Sequence, residues 1–244
     1  MERERTRADA QAISVAERNT GWAFRDPWPF KEIAIKAGSK QLAGILCIPP
    51  KAKGIVVFAH GSGSSRQSPR NKFVANELQK AGFATLLFDL LTPEEDADYQ
   101  NRFNIPLIAQ RLALVVNWLK TNPATAKLQV GLFGASTGSA AALQAHAQYS
   151  LPVFAIVSRG GRPDLAFDYL PKVKAPTLLI VGGDDLEVIG MNKRALENLS
   201  RLKGDQKGLE IVPGATHLFE EPGKLEQVAK LAVKWFEKHA ANRK

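Results

Sequence analysis

The sequence predicts an α/β fold: a mostly parallel β-sheet that begins with an antiparallel N-terminal hairpin and carries helices on both faces. Short, continuously apolar segments such as 54–59 and 83–88 are typical of strands that are buried on both sides. Longer segments with apolar residues at three- and four-residue intervals, as in amphipathic helices, alternate with them. This alternation is the pattern of a parallel sheet covered by helices.

The expected strands and helices follow one another in a regular order. The first half of the chain is predicted to contain a hairpin of strands 33–37 and 43–48 turning at Gly38, strand 54–59, a helix from the N-cap Ser68 to Gly82, and strand 83–88. The second half is predicted to contain a helix bearing Ile108, Leu112, Val115 and Leu119, strand 128–133, an Ala-rich helix from about Ser136, strands 153–158 and 177–181, a helix from about Met191, strand 208–212 and a C-terminal helix. No segment is long enough for the large cap domain found in many lipases.

Length and composition place these elements in one domain. The chain has 244 residues, of which 45% are apolar and 23% charged, so it can bury a sizeable core and is neither disordered nor of low complexity. Single α/β domains often reach this length. Residues 1–30 are polar and weakly periodic, so we expect an N-terminal extension there, weakly structured or partly helical, before a single domain over residues 31–244.

Charge and apolar patterning exclude several classes of partner. The net charge is +9, but the basic residues are dispersed, and no aromatic residues interleave with them as in nucleic-acid-binding surfaces. No run of about 18 apolar residues is present to span a membrane, and the N-terminus lacks the apolar segment of a signal peptide. The sequence therefore predicts a cytoplasmic protein that binds neither nucleic acid nor membranes. The oligomeric state is left open.

The single cysteine, Cys47, limits the chemistry that the chain can use. It can form neither an internal disulfide nor a cysteine-rich zinc site. The sequence also contains no cluster of residues at the spacing of metal ligands. We therefore expect a protein that needs neither a metal ion nor an organic cofactor.

A candidate nucleophile lies between two predicted elements. The segment Gly134-Ala135-Ser136-Thr137-Gly138 joins an apolar strand to the Ala-rich helix. In a G-x-S-x-G motif at this place, a sharp strand-to-helix turn exposes the serine hydroxyl at the carboxyl end of the sheet, and the residues two before and two after it must be small. By itself the motif also fits a glycine-rich turn with no catalytic function.

Candidates for an acid and a base follow later in the chain. One predicted strand leads through Gly182 to Asp184 and Asp185, and another leads to His217. The carboxyl ends of parallel strands meet at one edge of the sheet, so these side chains are expected near Ser136. Their order along the chain, nucleophile, acid and histidine, is the order that hydrolases with a G-x-S-x-G motif share.

His217 is identified as the base by elimination among four histidines. His146 and His239 lie on predicted helices, where we expect them to be solvated. His60 belongs to the segment Ala59-His60-Gly61-Ser62-Gly63 after strand 54–59, and we interpret it as a residue that holds this loop by hydrogen bonds. The remaining histidine, His217, is therefore the expected general base.

The same loop indicates an oxyanion hole. Its glycines let the backbone approach a substrate closely, so that N–H groups can point to the negatively charged oxygen of a reaction intermediate. We expect the donors to be the backbone N–H groups of Thr137, the residue after the nucleophile, and of Ser62. Gly63 is the alternative to Ser62.

Several stretches of the sequence resemble a known family. The segments F-A-H-G-S-G-S-S-R, F-G-A-S-T-G, V-S-R-G-G-R-P-D-L and P-G-A-T-H-L-F-E-E-P-G are similar to those of α/β hydrolases of the dienelactone-hydrolase-like group with a serine nucleophile. They resemble in particular a bacterial subgroup sometimes fused to phosphoribosyltransferase domains. The resemblance covers residues 33–240 and implies an α/β-hydrolase fold and hydrolase activity, with little information about the substrate.

The resemblance also implies which carboxylate belongs to the catalytic triad. In such hydrolases the acid usually lies three residues after a glycine and three before an aliphatic residue, a spacing that Gly182, Asp185 and Val188 match. Asp185 is therefore favoured over Asp184. Because Ser136 stands at the nucleophile position, the lactone chemistry of the dienelactone hydrolases proper is not implied.

Together these residues predict a serine hydrolase that cleaves small to medium carboxylic esters through an acyl-enzyme intermediate. In this hypothesis Ser136 attacks the ester, His217 takes its proton and Asp185 orients the imidazole. An acyltransferase, or a C–C or lactone hydrolase with the same triad, is the alternative. A non-catalytic binding module is a more distant one, since no triad member is missing. The expected partner is a small-molecule ester.

Residues that contact the substrate are less clearly marked. The segment between Asp89 and Pro106 is long enough to act as a small lid at the active edge. Its Phe103 is a candidate wall of the substrate pocket. Arg66, Arg159 and Arg162 follow predicted strands at the catalytic edge, where a guanidinium can bind a substrate carboxylate. Alternatively, the arginines form ion pairs that brace loops, and Phe103 takes part in ordinary surface packing.

Overall fold

The computed structural model describes residues 28–241, and its centre is one eight-stranded sheet. In chain order the strands are β1 (Phe30–Ala37), β2 (Lys40–Cys47), β3 (Ile55–Ala59), β4 (Ala84–Phe88), β5 (Val130–Ala135), β6 (Val153–Arg159), β7 (Thr177–Gly182) and β8 (Lys207–Val212). Their order across the sheet is β1-β2-β4-β3-β5-β6-β7-β8. The predicted extension over residues 1–30 lies almost wholly outside the described residues.

The sheet combines an antiparallel hairpin with a parallel body. β1 pairs antiparallel with β2, from Phe30 opposite Cys47 to Ala37 opposite Lys40, and Gly38 in the turn has φ of 66°. β2 is also antiparallel to β4, whereas every neighbouring pair from β4 to β8 is parallel. Parallel strands place all their carboxyl ends at one edge, so a site built from several strand ends assembles there.

Helices cover both faces of this sheet. In chain order they are α1 (Pro69–Lys80), α2 (Pro93–Asp96), α3 (Ile105–Thr121), α4 (Thr137–Tyr149), α5 (Leu186–Asn198) and α6 (Lys224–Ala241), with 3₁₀ turns at Tyr99–Phe103, Pro163–Lys172 and Gly204–Gln206. One apolar core lies between the sheet and α3, α4 and α5, and a second lies between the sheet and α1 and α6. This is the α/β-hydrolase arrangement, and no cap domain is present within residues 28–241.

The start of α1 illustrates how the sequence fixes the ends of these elements. The Ser68 side chain accepts a hydrogen bond from Asn71 N, and Pro69 occupies the first turn, as predicted. A serine N-cap satisfies an N–H group that the helix leaves unpaired, and proline has no N–H to satisfy there. The helix therefore begins at a fixed residue, directly after the loop that follows β3.

Several boundaries differ from the sequence prediction, and two of them are informative. α5 begins at Leu186, five residues before Met191, because the helix is continuous through Gly190, a residue that disfavours helix interiors. β5 ends at Ala135 rather than 133, since Gly134 pairs with Ala59 of β3 although glycine is a poor strand residue. At Gly134, pairing between strands prevails over local propensity.

The expectation that two helical histidines are solvated was wrong. His146 and His239 are each only 7% exposed. The Nδ1 atom of His146 lies 2.9 Å from Leu151 O, and its Nε2 accepts hydrogen bonds from Lys174 N and Ala175 N. The ring of His239 packs on Trp235 of the same helix, with centroids 4.5 Å apart, and helical periodicity alone shows the burial of neither histidine. Within residues 28–241, no helix is long and apolar enough to cross a membrane.

Candidate active site

Ser136 occupies a strained turn between β5 and α4. Its φ of 49° and ψ of −121° lie in a region that non-glycine residues rarely adopt. Such strain persists only where surrounding contacts enforce it, and it concentrates at functional sites. Ser136 N donates to Arg159 O at 3.2 Å, which ties the turn to the end of β6. The residue is partly exposed, as a nucleophile must be.

The two glycines of the motif are required by close contacts at this turn. A Cβ atom at Gly134 would lie 2.5 Å from Ser139 Cα, inside the turn itself. A Cβ at Gly138 would lie 2.1 Å from Ala59 O, at the end of the neighbouring strand β3. Both distances are far below van der Waals contact, so the small residues let α4 begin directly against the end of the sheet.

Asp185 and His217 form an acid–base pair at the same edge. The Nδ1 atom of His217 lies 2.7 Å from Asp185 Oδ2, and the side chains are 37% and 16% exposed. Asp185 follows β7 and is the N-cap residue of α5, while His217 follows β8. The neighbouring carboxylate, Asp184, is exposed, and its backbone N–H donates to Ala215 O. Asp185 is therefore the carboxylate that contacts the imidazole.

The serine and the imidazole each adjoin one of two consecutive residues at the end of β6. Ser136 N is bonded to Arg159 O, and the next residue, Gly160, faces His217: a Cβ at Gly160 would lie 3.5 Å from His217 Cε1. Since Nδ1 of His217 is directed to Asp185, Nε2 is the nitrogen left to accept a proton. Ser136 and His217 thus adjoin neighbouring residues at the end of β6, and among the described residues no hydrogen bond joins their side chains.

His60 holds the loop after β3, the role that its position in the sequence indicated. Its Nδ1 lies 2.9 Å from Gly61 O, and its Nε2 accepts a hydrogen bond from Leu90 N at 3.1 Å. A carbonyl accepts and an N–H donates, so these contacts fix a neutral ring with the proton on Nδ1. Burial lowers the pKa of His60, against smaller opposing effects of Gly61, Asp89 and Asp96.

The two expected oxyanion donors are in direct contact through a side chain. Ser62 N donates to Thr137 Oγ1 at 2.9 Å. Thr137 is the first residue of α4, where N–H groups have no partner inside the helix, and it is 3% exposed. The N–H of Thr137 is directed out of the start of α4, whereas the N–H of Ser62 already donates to Thr137 Oγ1.

A small cleft, with a volume of about 10 Å³, adjoins this loop. Leu90, Leu91 and Ile108 form an apolar wall, and Asp96 and Arg102 form a polar one. Arg102 binds both carboxylate oxygens of Asp96 at 2.9 Å. The sequence alone does not indicate these two residues, because a pair six positions apart in an irregular segment has no recognisable periodicity.

The other predicted substrate residues lie outside this cleft or are bonded elsewhere. Phe103 is 46% exposed and packs on Tyr99, with ring centroids 5.3 Å apart. Arg66 binds Asp89 through its backbone N–H and its guanidinium, and Arg162 binds Asp164. These arginines therefore make the loop-bracing pairs that the sequence left open as their alternative.

Arg159 is buried, with 6% of its surface exposed. Its Nη2 donates to Asn71 Oδ1 at 3.4 Å, and its Nε has no hydrogen-bond partner among the described residues. Burial, followed by repulsion from Arg70, lowers the pKa of Arg159 to about 9, and attraction to Glu220 opposes this. The guanidinium lies under the start of α1 rather than in the cleft.

Comparison with known proteins adds to this geometry. Residues 42–241 match the Dienelactone hydrolase family. Two curated proteins of Mycobacterium tuberculosis, whose names describe a phosphoribosyl transferase, are each 59% identical over 209 residues, or 86% of this chain. The match covers 46% of their length, so the chain spans about half of these relatives.

Solved structures show the same fold. A dienelactone hydrolase from Anabaena variabilis is 55% identical, with a TM-score of 0.82, and the match covers 87% of this chain and 98% of that one. Est1E from Butyrivibrio proteoclasticus is 16% identical, with a TM-score of 0.72 over 86% of this chain and 99% of that one. At such low identity the second likeness concerns the fold alone.

Proposed function

The chain belongs to the dienelactone hydrolase family, and on this premise we propose that it is a serine hydrolase that cleaves small to medium carboxylic esters. The proposed triad is Ser136, His217 and Asp185. The substrate is a small-molecule ester, and the reaction requires no metal ion, cofactor, nucleic acid or membrane. The predicted location in the cytoplasm rests on the sequence alone.

One observation carries the proposal: a serine with strained backbone lies at the strand edge where a histidine is paired with a partly buried carboxylate. Ser136 has positive φ, and His217 is 2.7 Å from Asp185. A serine hydroxyl is a weak nucleophile unless a neighbouring base takes its proton. The hydrogen bond to Asp185 keeps a proton on Nδ1, so Nε2 is the basic nitrogen.

The proposed reaction is acyl transfer in two steps. Ser136 Oγ attacks the ester carbonyl while His217 Nε2 takes its proton, which then passes to the departing alcohol. Water, activated by the same imidazole, attacks the acyl-enzyme and releases the acid. In both steps the negative charge that develops on the carbonyl oxygen is stabilised by Thr137 N–H and by a second donor beside it, for which the sequence predicted Ser62 N–H.

An acyltransferase, or a C–C or lactone hydrolase with the same triad, is the second candidate. The family name favours a lactone as one form of ester. The small cleft, walled by Leu90, Leu91 and Ile108, favours short acyl groups over long ones. An acyltransferase would differ in accepting an alcohol in place of water at the second step.

A panel of p-nitrophenyl esters from acetate to octanoate tests the function, with Ser136→Ala as the decisive variant. We expect hydrolysis of the shorter esters and a loss of at least about 10³-fold in kcat for Ser136→Ala. Ser200→Ala, which replaces an exposed serine after α5, is the matched control and should keep full activity. Equal hydrolysis by the wild type and Ser136→Ala would contradict the proposal.

A second measurement separates hydrolysis from acyl transfer. A fluorophosphonate probe should label the wild type on Ser136 and leave Ser136→Ala unlabelled, because only an activated serine reacts. If Ser136 is labelled but esters are consumed only when an acceptor alcohol is present, the second candidate is the correct one.

A further inference from the structure

The hydrogen bond from Ser62 N to Thr137 Oγ1 changes the expected composition of the oxyanion hole. Its length is 2.9 Å, and it joins the loop after β3 to the residue that follows the nucleophile. An oxyanion donor must have its hydrogen available to the substrate, and the N–H of Ser62 is directed instead at a protein oxygen. The Thr137 hydroxyl therefore lies directly beside Ser62 N, the second donor that the sequence predicted.

The same hydrogen bond leaves the Thr137 hydroxyl with an unused proton. A hydroxyl has one O–H donor and two acceptor lone pairs. In Thr137 a lone pair receives the Ser62 N–H, and no acceptor for the O–H exists among the described residues. The side chain is buried and borders the cleft together with Ser62 and Gly63. A buried donor without an acceptor is costly unless a ligand supplies one.

We propose that the Thr137 hydroxyl is itself a catalytic donor, so that one residue gives the oxyanion both its backbone N–H and its side-chain O–H. This inference rests on the proposed function, since it requires Ser136 to form a tetrahedral intermediate. Ser62 then acts as a positioning residue: its N–H fixes the hydroxyl rotamer. Hydrogen bonds in series polarise one another, so the bond from Ser62 strengthens the O–H as a donor.

A donor of this kind acts mainly on the transition state. The ester carbonyl carries little charge in the ground state, whereas the oxygen of the intermediate carries nearly a full negative charge, so the O–H bond strengthens as the reaction proceeds. Loss of the hydroxyl should therefore lower kcat and leave KM nearly unchanged. A role in folding alone would instead lower thermal stability and leave the kcat of the folded enzyme intact.

The test compares Thr137→Val, which keeps the shape and removes the hydroxyl, with Thr137→Ser, which keeps the hydroxyl. Thr137→Val should lower kcat for p-nitrophenyl acetate by about 10² at unchanged KM, and Thr137→Ser should retain kcat within about 3-fold. If Thr137→Val folds poorly, Thr137→Ala takes its place, because it also removes the hydroxyl and has no branched side chain. A trifluoromethyl ketone, which forms an oxyanion on Ser136, should lose affinity in parallel with kcat.

The outcomes separate this inference from the proposed function. If the wild type hydrolyses esters through Ser136 and Thr137→Val keeps full kcat, the hydroxyl is not a donor, while the triad stands. A rise in kcat would mean that the hydroxyl blocks Ser62 N–H, which also overturns the inference. Absence of ester hydrolysis by the wild type, with no fluorophosphonate labelling of Ser136, would overturn both.

Discussion

His217 Nδ1 lies 2.7 Å from Asp185 Oδ2, although 32 residues separate the two in the chain. The contact arises because β7 and β8 are adjacent and parallel, so that the loops after them begin at the same edge. The 16% exposure of the Asp185 side chain favours a stable orientation of the imidazole, because little water competes for the carboxylate.

The contact between Asp185 and His217 predicts that substitution of Asp185 lowers activity far more than substitution of the neighbouring Asp184. Asp185→Asn should lower kcat by about 10³- to 10⁴-fold, because an amide in that position no longer holds the imidazole in the required tautomer. Asp184→Asn should retain most of the activity, since Asp184 is exposed. Steady-state kinetics of the two variants with p-nitrophenyl acetate measure this difference in kcat. A larger loss of kcat in Asp184→Asn would assign the role of catalytic acid to Asp184 instead.

The contact between Gly138 and Ala59 predicts a steric effect on activity. In Gly138→Ala the new Cβ would lie 2.1 Å from Ala59 O, so α4 or the loop after β3 must move. We expect kcat/KM to fall by about 10² and the free energy of unfolding by about 1–3 kcal/mol.

A matched control for this change is Gly190→Ala in α5. There the nearest atom to the new Cβ is Arg194 Nη1 at 4.0 Å, so the methyl group fits. Gly190→Ala should raise the free energy of unfolding by about 0.5–1 kcal/mol and leave activity unchanged, because alanine favours helix interiors. Urea unfolding and ester kinetics test both variants. Equal stability changes in the two would argue against the close contact at Gly138.

The burial of His60 predicts a pH dependence of stability. Burial lowers the pKa of His60 in the folded protein, so below about pH 6.5 the unfolded chain binds a proton that the folded protein resists. The free energy of unfolding should therefore fall as the pH falls from 7.5 to 5.5, by up to about 1.4 kcal/mol per pH unit from this residue.

His60→Gln identifies the contribution of this residue. The variant should be less stable than the wild type at pH 7.5, because Gly61 O and Leu90 N lose their partner, but its stability should depend less steeply on pH. Urea unfolding at several pH values gives both slopes. Identical slopes would mean that His60 is protonated as readily in the folded protein as in the unfolded chain.

The burial of Arg159 predicts that removing its charge does not lower the free energy of unfolding. Because its guanidinium is buried and forms no ion pair with a carboxylate among the described residues, Arg159→Met should leave the free energy of unfolding unchanged or raise it by about 1 kcal/mol. The control is Arg111→Met, which removes a buried cation bonded to Glu95 at 2.5 Å and should cost about 3 kcal/mol.

The same variant tests the sequence hypothesis that Arg159 binds the substrate. The guanidinium lies under the start of α1, so KM for neutral and anionic esters should be the same in Arg159→Met as in the wild type. A KM that rises only for esters carrying a carboxylate would instead show that Arg159 reaches the substrate.

Local chemistry was enough to predict most of the fold and the candidate nucleophile and base, whereas the resemblance to a known family selected Asp185 over Asp184 as the acid. The G-x-S-x-G turn, the glycine before Asp185 and the loop histidine at 217 each carry a pattern that depends on a few adjacent residues. The start of α5 and the burial of His146 were not predictable in this way. The burial of His146 depends on the backbone of Lys174 and Ala175, which lie 28 and 29 residues further along the chain.

The sequence by itself therefore determined which chemical groups the chain brings to the edge of its sheet. These groups follow the predicted strands within a few residues, so their positions can be read from short segments. The tertiary structure alone decided how those groups are used. It placed Thr137 Oγ1 against Ser62 N, buried Arg159, and put Arg102 rather than Phe103 in the wall of the cleft. The physical reason is that hydrogen bonding and burial depend on distances between segments far apart in the chain, and those distances exist only after the sheet has formed.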